Sequence, residues 1–124
     1  MREKEGVTEI IEGLKKWGCD IDSAMPRFGG DESFYCRLIY EVDEEKGFTE
    51  LGSQLKNGYI KESFETAHML KGVLANMEIT PMYETTCRIV ELLRAGTLEG
   101  TEQLYNKLIS DKTVLDQILY REEA

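Results

Sequence analysis

The chain has 124 residues, 41% hydrophobic and 31% charged, which suits one globular domain with a core of its own. Its formal charge of -9 speaks against nucleic acid, whose binding rests on neutralising phosphates with Lys and Arg. It speaks equally against an anionic membrane surface.

Cys19, Cys36 and Cys87 are odd in number and widely spaced, so they read as buried, reduced thiols rather than a zinc site or a disulfide framework. The opening Met1-Arg2-Glu3-Lys4-Glu5 is charged, without the apolar region of a signal peptide. No run approaches the roughly 18 apolar residues of a membrane span, so a cytoplasmic location is expected.

From the N-terminus, Val7, Ile10, Ile11, Leu14 and Trp17 recur at helical spacing, and Gly18 follows as a stop. Asp20 is placed to cap a short turn through Ile21 to Phe28, which Pro26 should keep short and irregular. Gly29-Gly30 breaks the chain and Asp31 caps the next helix. That helix should bury Phe34, Tyr35, Leu38, Ile39 and Val42, and Gly47 should end it. Another carries Phe48, Leu51 and Leu55 and stops at Asn57-Gly58.

The longest clean stripe, about 20 residues, runs from Tyr59 through Ile60, Phe64, Ala67, Leu70, Leu74 and Met77. Thr80 reads as the N-cap of its successor, with Pro81 at the first helical position, where a missing N–H costs nothing. This helix should bury Cys87, Ile89 or Val90, and Leu93 before Gly96 stops it. The last helix uses Leu104, Leu108, Leu115, Ile118 and Leu119. Asp111 interrupts its stripe, which implies a partner on a neighbouring helix or a frayed middle. No stretch alternates as a strand. Six or seven helices with short turns, four of them long, make an all-α, up-and-down bundle the economical fold.

The only histidine, His68, lies inside the longest stripe. At about 100° per residue it sits roughly 110° round from the apolar centre near Ala67, Leu70 and Leu74, with its ring reaching solvent. A lone helical histidine is most often a surface or satisfied core residue, and this position disfavours the core. One histidine cannot assemble the several ligands of a zinc or di-iron site, so no metal is expected. Ser63 and Thr66 do not share its face one turn away, which leaves no triad.

What remains is a solitary nucleophile. Imidazoles titrate near neutrality, so a good share of them keep a free lone pair that can accept a phosphoryl group. Lys71, one turn on, could neutralise the phosphoryl oxygens, and Gly72 could let another protein's backbone come close. Close packing between helices is the other reading of Gly72. Gly29-Gly30 lacks the further glycines and the Lys-Ser/Thr of a phosphate-binding loop, so no use of ATP is expected.

Ala67-His68-Met69-Leu70-Lys71-Gly72, followed by Ala75-Asn76, resembles the signature of histidine-containing phosphotransfer (HPt) domains. Arg27-Phe28-Gly29-Gly30-Asp31-Glu32 with Phe34-Tyr35 is similar to the family's stretch before the second bundle helix. Cys87 and Arg94-Ala95-Gly96 also fall where the family tends to have a Cys and an Arg-x-Gly. The blocks span about residues 17–96 of the chain.

The resemblance implies a single domain over residues 1–124, a four-helix bundle with short accessory helices. Its phosphotransfer core would be about 17–96, with the C-terminal helix completing the bundle. It further implies that His68 carries the phosphoryl group, flanked by Lys71 and Gly72, in a two-component phosphorelay. The partners would be response-regulator receiver domains and a hybrid histidine kinase. The receiver would bring the aspartate and Mg²⁺, so the chain would need no cofactor of its own and would be a phosphohistidine carrier rather than an ATP-using kinase. Val73 and Leu74 depart from the small or hydroxylated residues common there, and Tyr59 replaces the usual acidic start of the histidine helix. These departures bear on the partner's identity more than on the chemistry.

The expected docking surface is the side of the histidine helix with Lys61, Phe64, Glu65, His68, Lys71, Gly72 and Ala75, presented by a monomer. Phe64 would be shared between the core and an apolar anchor for the partner, or else be a core aromatic alone. The alternative is a non-catalytic helical adaptor that docks a receiver or kinase through the same face, with His68 incidental.

Overall fold

The computed structural model describes residues 2–122. In chain order these form β1 (Arg2–Lys4), α1 (Val7–Trp17), α2 (Ile21–Ala24), a 3₁₀ turn (Met25–Phe28), α3 (Glu32–Asp43), α4 (Gly47–Lys56), α5 (Ile60–Asn76), α6 (Thr80–Arg94), α7 (Thr101–Leu119) and β2 (Tyr120–Glu122). The architecture is mostly helical, as the periodicity implied. No helix among the described residues is long and apolar enough to cross a membrane.

Helix ends follow the expected local chemistry. Gly18 adopts φ 111° and stops α1, which buries Ile10, Ile11 and Leu14. The Asp20 carboxylate accepts from the Ser23 N–H at 3.2 Å, and Asp31 accepts from the Phe34 N–H at 3.0 Å, capping α2 and α3. Pro26 sits in the 3₁₀ turn, so the segment around it is short and irregular as expected.

Several expectations are corrected. Gly47 does not end α3, which stops at Asp43; it begins α4, where a Cβ would meet Met69 Cε at 2.8 Å and Leu70 Cδ2 at 3.0 Å. Its lack of a side chain lets α4 lie close on α5. Phe34 is 38% exposed, because the capping turn rotates it outward against the edge of Phe28. Thr80 is the first residue of α6 rather than its cap, and its hydroxyl donates back to the Glu78 carbonyl. Cys19 and Cys36 are buried, but Cys87 is only half-buried. Leu104 and Ile118 are half-buried as well.

The strands were not expected. β1 and β2 pair antiparallel, with Glu3 opposite Arg121, and join the two ends of the chain. Charged side chains flank the ladder: Arg121 Nε donates to Glu3 at 3.1 Å, and the Arg2 guanidinium lies 2.6 Å from Asp116 of α7 and 3.9 Å above the Tyr120 ring. Tyr40 of α3 supports the join by donating its hydroxyl to the Leu119 carbonyl at 2.8 Å.

In the body of the fold α4 packs on α5, α5 on α6, α6 on α7, and α7 returns to α4. The Tyr105 hydroxyl of α7 closes that circuit by donating to the Phe48 carbonyl of α4 at 2.7 Å. Helix α1 covers α3 and α7. Asp111 has the neighbouring-helix partner its position asked for, accepting from Thr85 on α6 at 3.4 Å as well as from Lys107. Burial pushes the Asp43 carboxyl above its ordinary range, reinforced by the facing Asp116 and partly offset by Lys112 at 3.4 Å.

Two of the bonds that tie the early chain to the end of α5 run from side chains to backbone carbonyls. The buried Tyr35 hydroxyl donates to the Met77 carbonyl at 2.7 Å, and Arg27 donates to the Asn76 carbonyl at 3.0 Å. Tyr35→Phe strands the Met77 carbonyl away from water. It is expected to lower stability by about 1–2 kcal/mol in urea denaturation with little change in helical circular dichroism.

Burial raises the Cys19 thiol from 9.0 to about 12 and the Cys36 thiol to about 11. The unfolded chain therefore releases these protons first, so stability is full below pH 9 and falls as pH rises from there towards the folded values. A thiol reagent at pH 8 should modify Cys87 first, and the other two only as the chain unfolds. Equal reactivity of all three would contradict this packing.

Candidate functional site

Helix α5 turns one side inward, burying Ser63, Ala67, Leu70 and Leu74. The opposite side is set by the same period. Lys61, Glu65, His68 and Gly72 are exposed, and Phe64, Lys71 and Ala75 are half-buried at its margin. The helix is unbroken from Lys61 to Ala75, so these seven residues form one stripe about 21 Å long. All of the residues nominated from the sequence are brought together here.

The imidazole of His68 is exposed and stacks on Phe64, one turn earlier, with ring centroids 5.8 Å apart and planes 28° apart. The Arg94 guanidinium reaches from the end of α6 to 5.5 Å from the Phe64 centroid, and it also pairs with Glu91. Lys71 follows His68 by three residues on the same helix and adds a second cation. Above these lies open space, since a Cβ built on Gly72 would meet nothing within 4 Å. Close helix packing is therefore not the reason for this glycine.

The other motif residues lie at the C-terminal end of α5. Arg27 pairs with Glu78 at 2.9 Å in addition to its bond to Asn76, and the Asp20 N–H donates to the Glu78 carbonyl at 3.2 Å. Together with Leu74, Ala75, Thr80, Tyr83 and Glu84 they line a cavity of about 450 Å³ beside the stripe. Cys87 lies on α6 next to Tyr83, whose hydroxyl is raised by that thiol. Among the described residues no three His, Cys, Asp or Glu side chains converge as a metal-binding group.

No family model, curated protein or solved structure matches the chain. The geometry of the site is an exposed imidazole on a rigid helix, with a cation, a ring and an open glycine turn around it.

Phe64 and Arg94 are both named from the sequence, but the contacts that place them around His68 are not. The stacking of Phe64 on His68 could have been found, because their spacing is that of neighbours on one face. The contact of Arg94 could not, since only the packing of α6 on α5 brings it over Phe64.

Gly72→Ala is expected to stabilise the protein by about 0.5–1 kcal/mol, because an exposed helical glycine lacks Ala's backbone restriction and nothing opposes the added methyl. Chemical denaturation of the two proteins checks this.

Proposed function

We propose that the protein is a phosphohistidine carrier of the HPt type. In this reading His68 takes a phosphoryl group from a receiver aspartate, directly or within a hybrid kinase, and passes it to a second receiver. The circuit of α4, α5, α6 and α7 would then be the family's four-helix bundle, with α1–α3 and the strands as accessories. The observation that carries the reading is the solitary, solvent-facing imidazole of His68 beneath the open turn at Gly72.

In the transfer, a neutral ring nitrogen of His68 attacks phosphorus in line. The N–P bond forms as the P–O bond of the acyl phosphate breaks, and the aspartate leaves as carboxylate. The phosphorylated ring gives the proton of its other nitrogen to solvent. Passing the group on reverses these events at a second aspartate. Lys71 opposes the charge on the transferring oxygens, and much of the acceleration comes from positioning. The Mg²⁺ would belong to the receiver.

Net charge favours such a partner only locally. The chain carries -9, but Lys61, Lys71 and Arg94 gather around His68 with Glu65 and Glu91. A docking face poorer in negative charge than the rest of the surface suits an acidic, phosphorylated partner site. Ala75 and Gly72 give that partner a low stretch of helix to approach.

The test is transfer of labelled phosphate from a panel of loaded receivers with Mg²⁺. Wild type should acquire acid-labile, base-stable label, and His68→Gln should acquire none while keeping its fold and its binding. Gly72→Gln should slow transfer from receivers at least tenfold without loss of stability. Binding by wild type with no label from any receiver would assign the adaptor role instead.

A further inference from the structure

Phe64, expected as an apolar anchor or a core aromatic, also lies against the histidine ring. Its ring lies 5.8 Å from that of His68 at 28°, and it is half-buried while His68 is exposed. A ring rooted in the protein therefore runs alongside the ring that must react. Behind it, Arg94 places a cation 5.5 Å from the centre of the Phe64 ring. A benzene face attracts such a charge, so Arg94 holds Phe64 in place from a second helix.

An exposed imidazole on a helix samples several rotamers, and most of them aim neither ring nitrogen at a donor. A stacked neighbour removes part of that freedom before the donor arrives. In-line attack at phosphorus needs a narrow range of approach, so orientation fixed in advance raises the rate without any contact to the phosphoryl group. We propose that Phe64, backed by Arg94, is a positioning residue that holds the His68 imidazole in its reactive orientation. This rests on the relay reading, and it assigns to the chain itself an alignment that would otherwise fall to the partner.

The test uses phosphoramidate, a donor too small to dock on Phe64. Its P–N bond breaks as the imidazole N–P bond forms, and the departing ammonia takes up the ring proton as ammonium. Because His68 is the only histidine, its ring protons are also read directly by NMR. Phe64→Leu keeps an apolar body but has no π face, and Phe64→Tyr keeps the ring. Phe64→Leu should lose the ring-current shift of the His68 protons and take up label about three- to tenfold more slowly, with Phe64→Tyr restoring both. Should Phe64→Leu not fold, Arg94→Gln at an exposed position should weaken the ring-current shift and slow the uptake of label, with both rings still present.

An unchanged phosphoramidate rate in the folded variant overturns the proposal, whatever the receivers do. Slowing with receivers alone would make Phe64 a partner anchor. A wild type that takes label from neither donor removes the relay reading itself, and the positioning role falls with it. The ring shift would still report whether the stack exists.

Discussion

Three consecutive carbonyls at the end of α5 hold the structure in register. A helix leaves its last carbonyls without partners of its own, and burying them unbonded is costly. Here Asn76 accepts from Arg27, Met77 from Tyr35 and Glu78 from the Asp20 N–H. The donors come from the 3₁₀ turn, from α3 and from the cap of α2, so three early segments are fixed to one helix terminus. Glu78 adopts φ 57°, which costs a non-glycine residue on the order of 1 kcal/mol, and its pairing with Arg27 offsets part of that. His68 lies eight residues back along the same helix, about 12 Å from the tied end. Its height above the fold is therefore set by bonds that never touch it.

This explains why two separated blocks of sequence belong together. In Arg27-Phe28-Gly29-Gly30-Asp31 the two glycines take φ 65° and 73°, turning the chain so that Asp31 can start α3 directly after the 3₁₀ turn. Arg27 before the turn and Tyr35 after it then reach neighbouring carbonyls. Phe28 packs edge-on against Tyr35 at 5.3 Å between centroids, which stiffens the bend. The block near the histidine forms the exposed face of α5, and the earlier block supports the end of that helix.

What could be read from the residues was whatever depends on near neighbours. Helical period placed α1, α5 and α7, and local signals at Gly18, Asp20, Asp31 and Asn57 marked the end of α1, the starts of α2 and α3 and the end of α4. The same period put Lys61, His68 and Gly72 on one exposed face. What could not be read depends on residues far apart in the chain. The strands consist of Arg2-Glu3-Lys4 and Tyr120-Arg121-Glu122, with no apolar alternation, and they pair across more than a hundred positions of the chain. Gly47 looked like a helix stop because glycine commonly is one, but it serves to bring α4 against Met69 and Leu70. Phe34 has a core residue's chemistry, and only the rotation set by the Asp31 cap leaves it exposed. Arg94 joins the site through helix packing alone.

A site of this kind divides one helix between two demands. Its inner side, with Ala67, Leu70 and Leu74 fully buried, fixes the backbone. Its outer side can then be sparse, since the scaffold keeps the imidazole at a set height without polar groups of its own. Gly72 would be a liability in a marginal helix. In a helix of 17 residues buried along its length and tied at its end, a loss of up to about 1 kcal/mol is tolerated. The rigid inner face is thus what permits the open outer one. Phe64 lies where the two meet, half-buried on one side and stacked on the imidazole on the other, and so it joins the packed core to the exposed histidine ring.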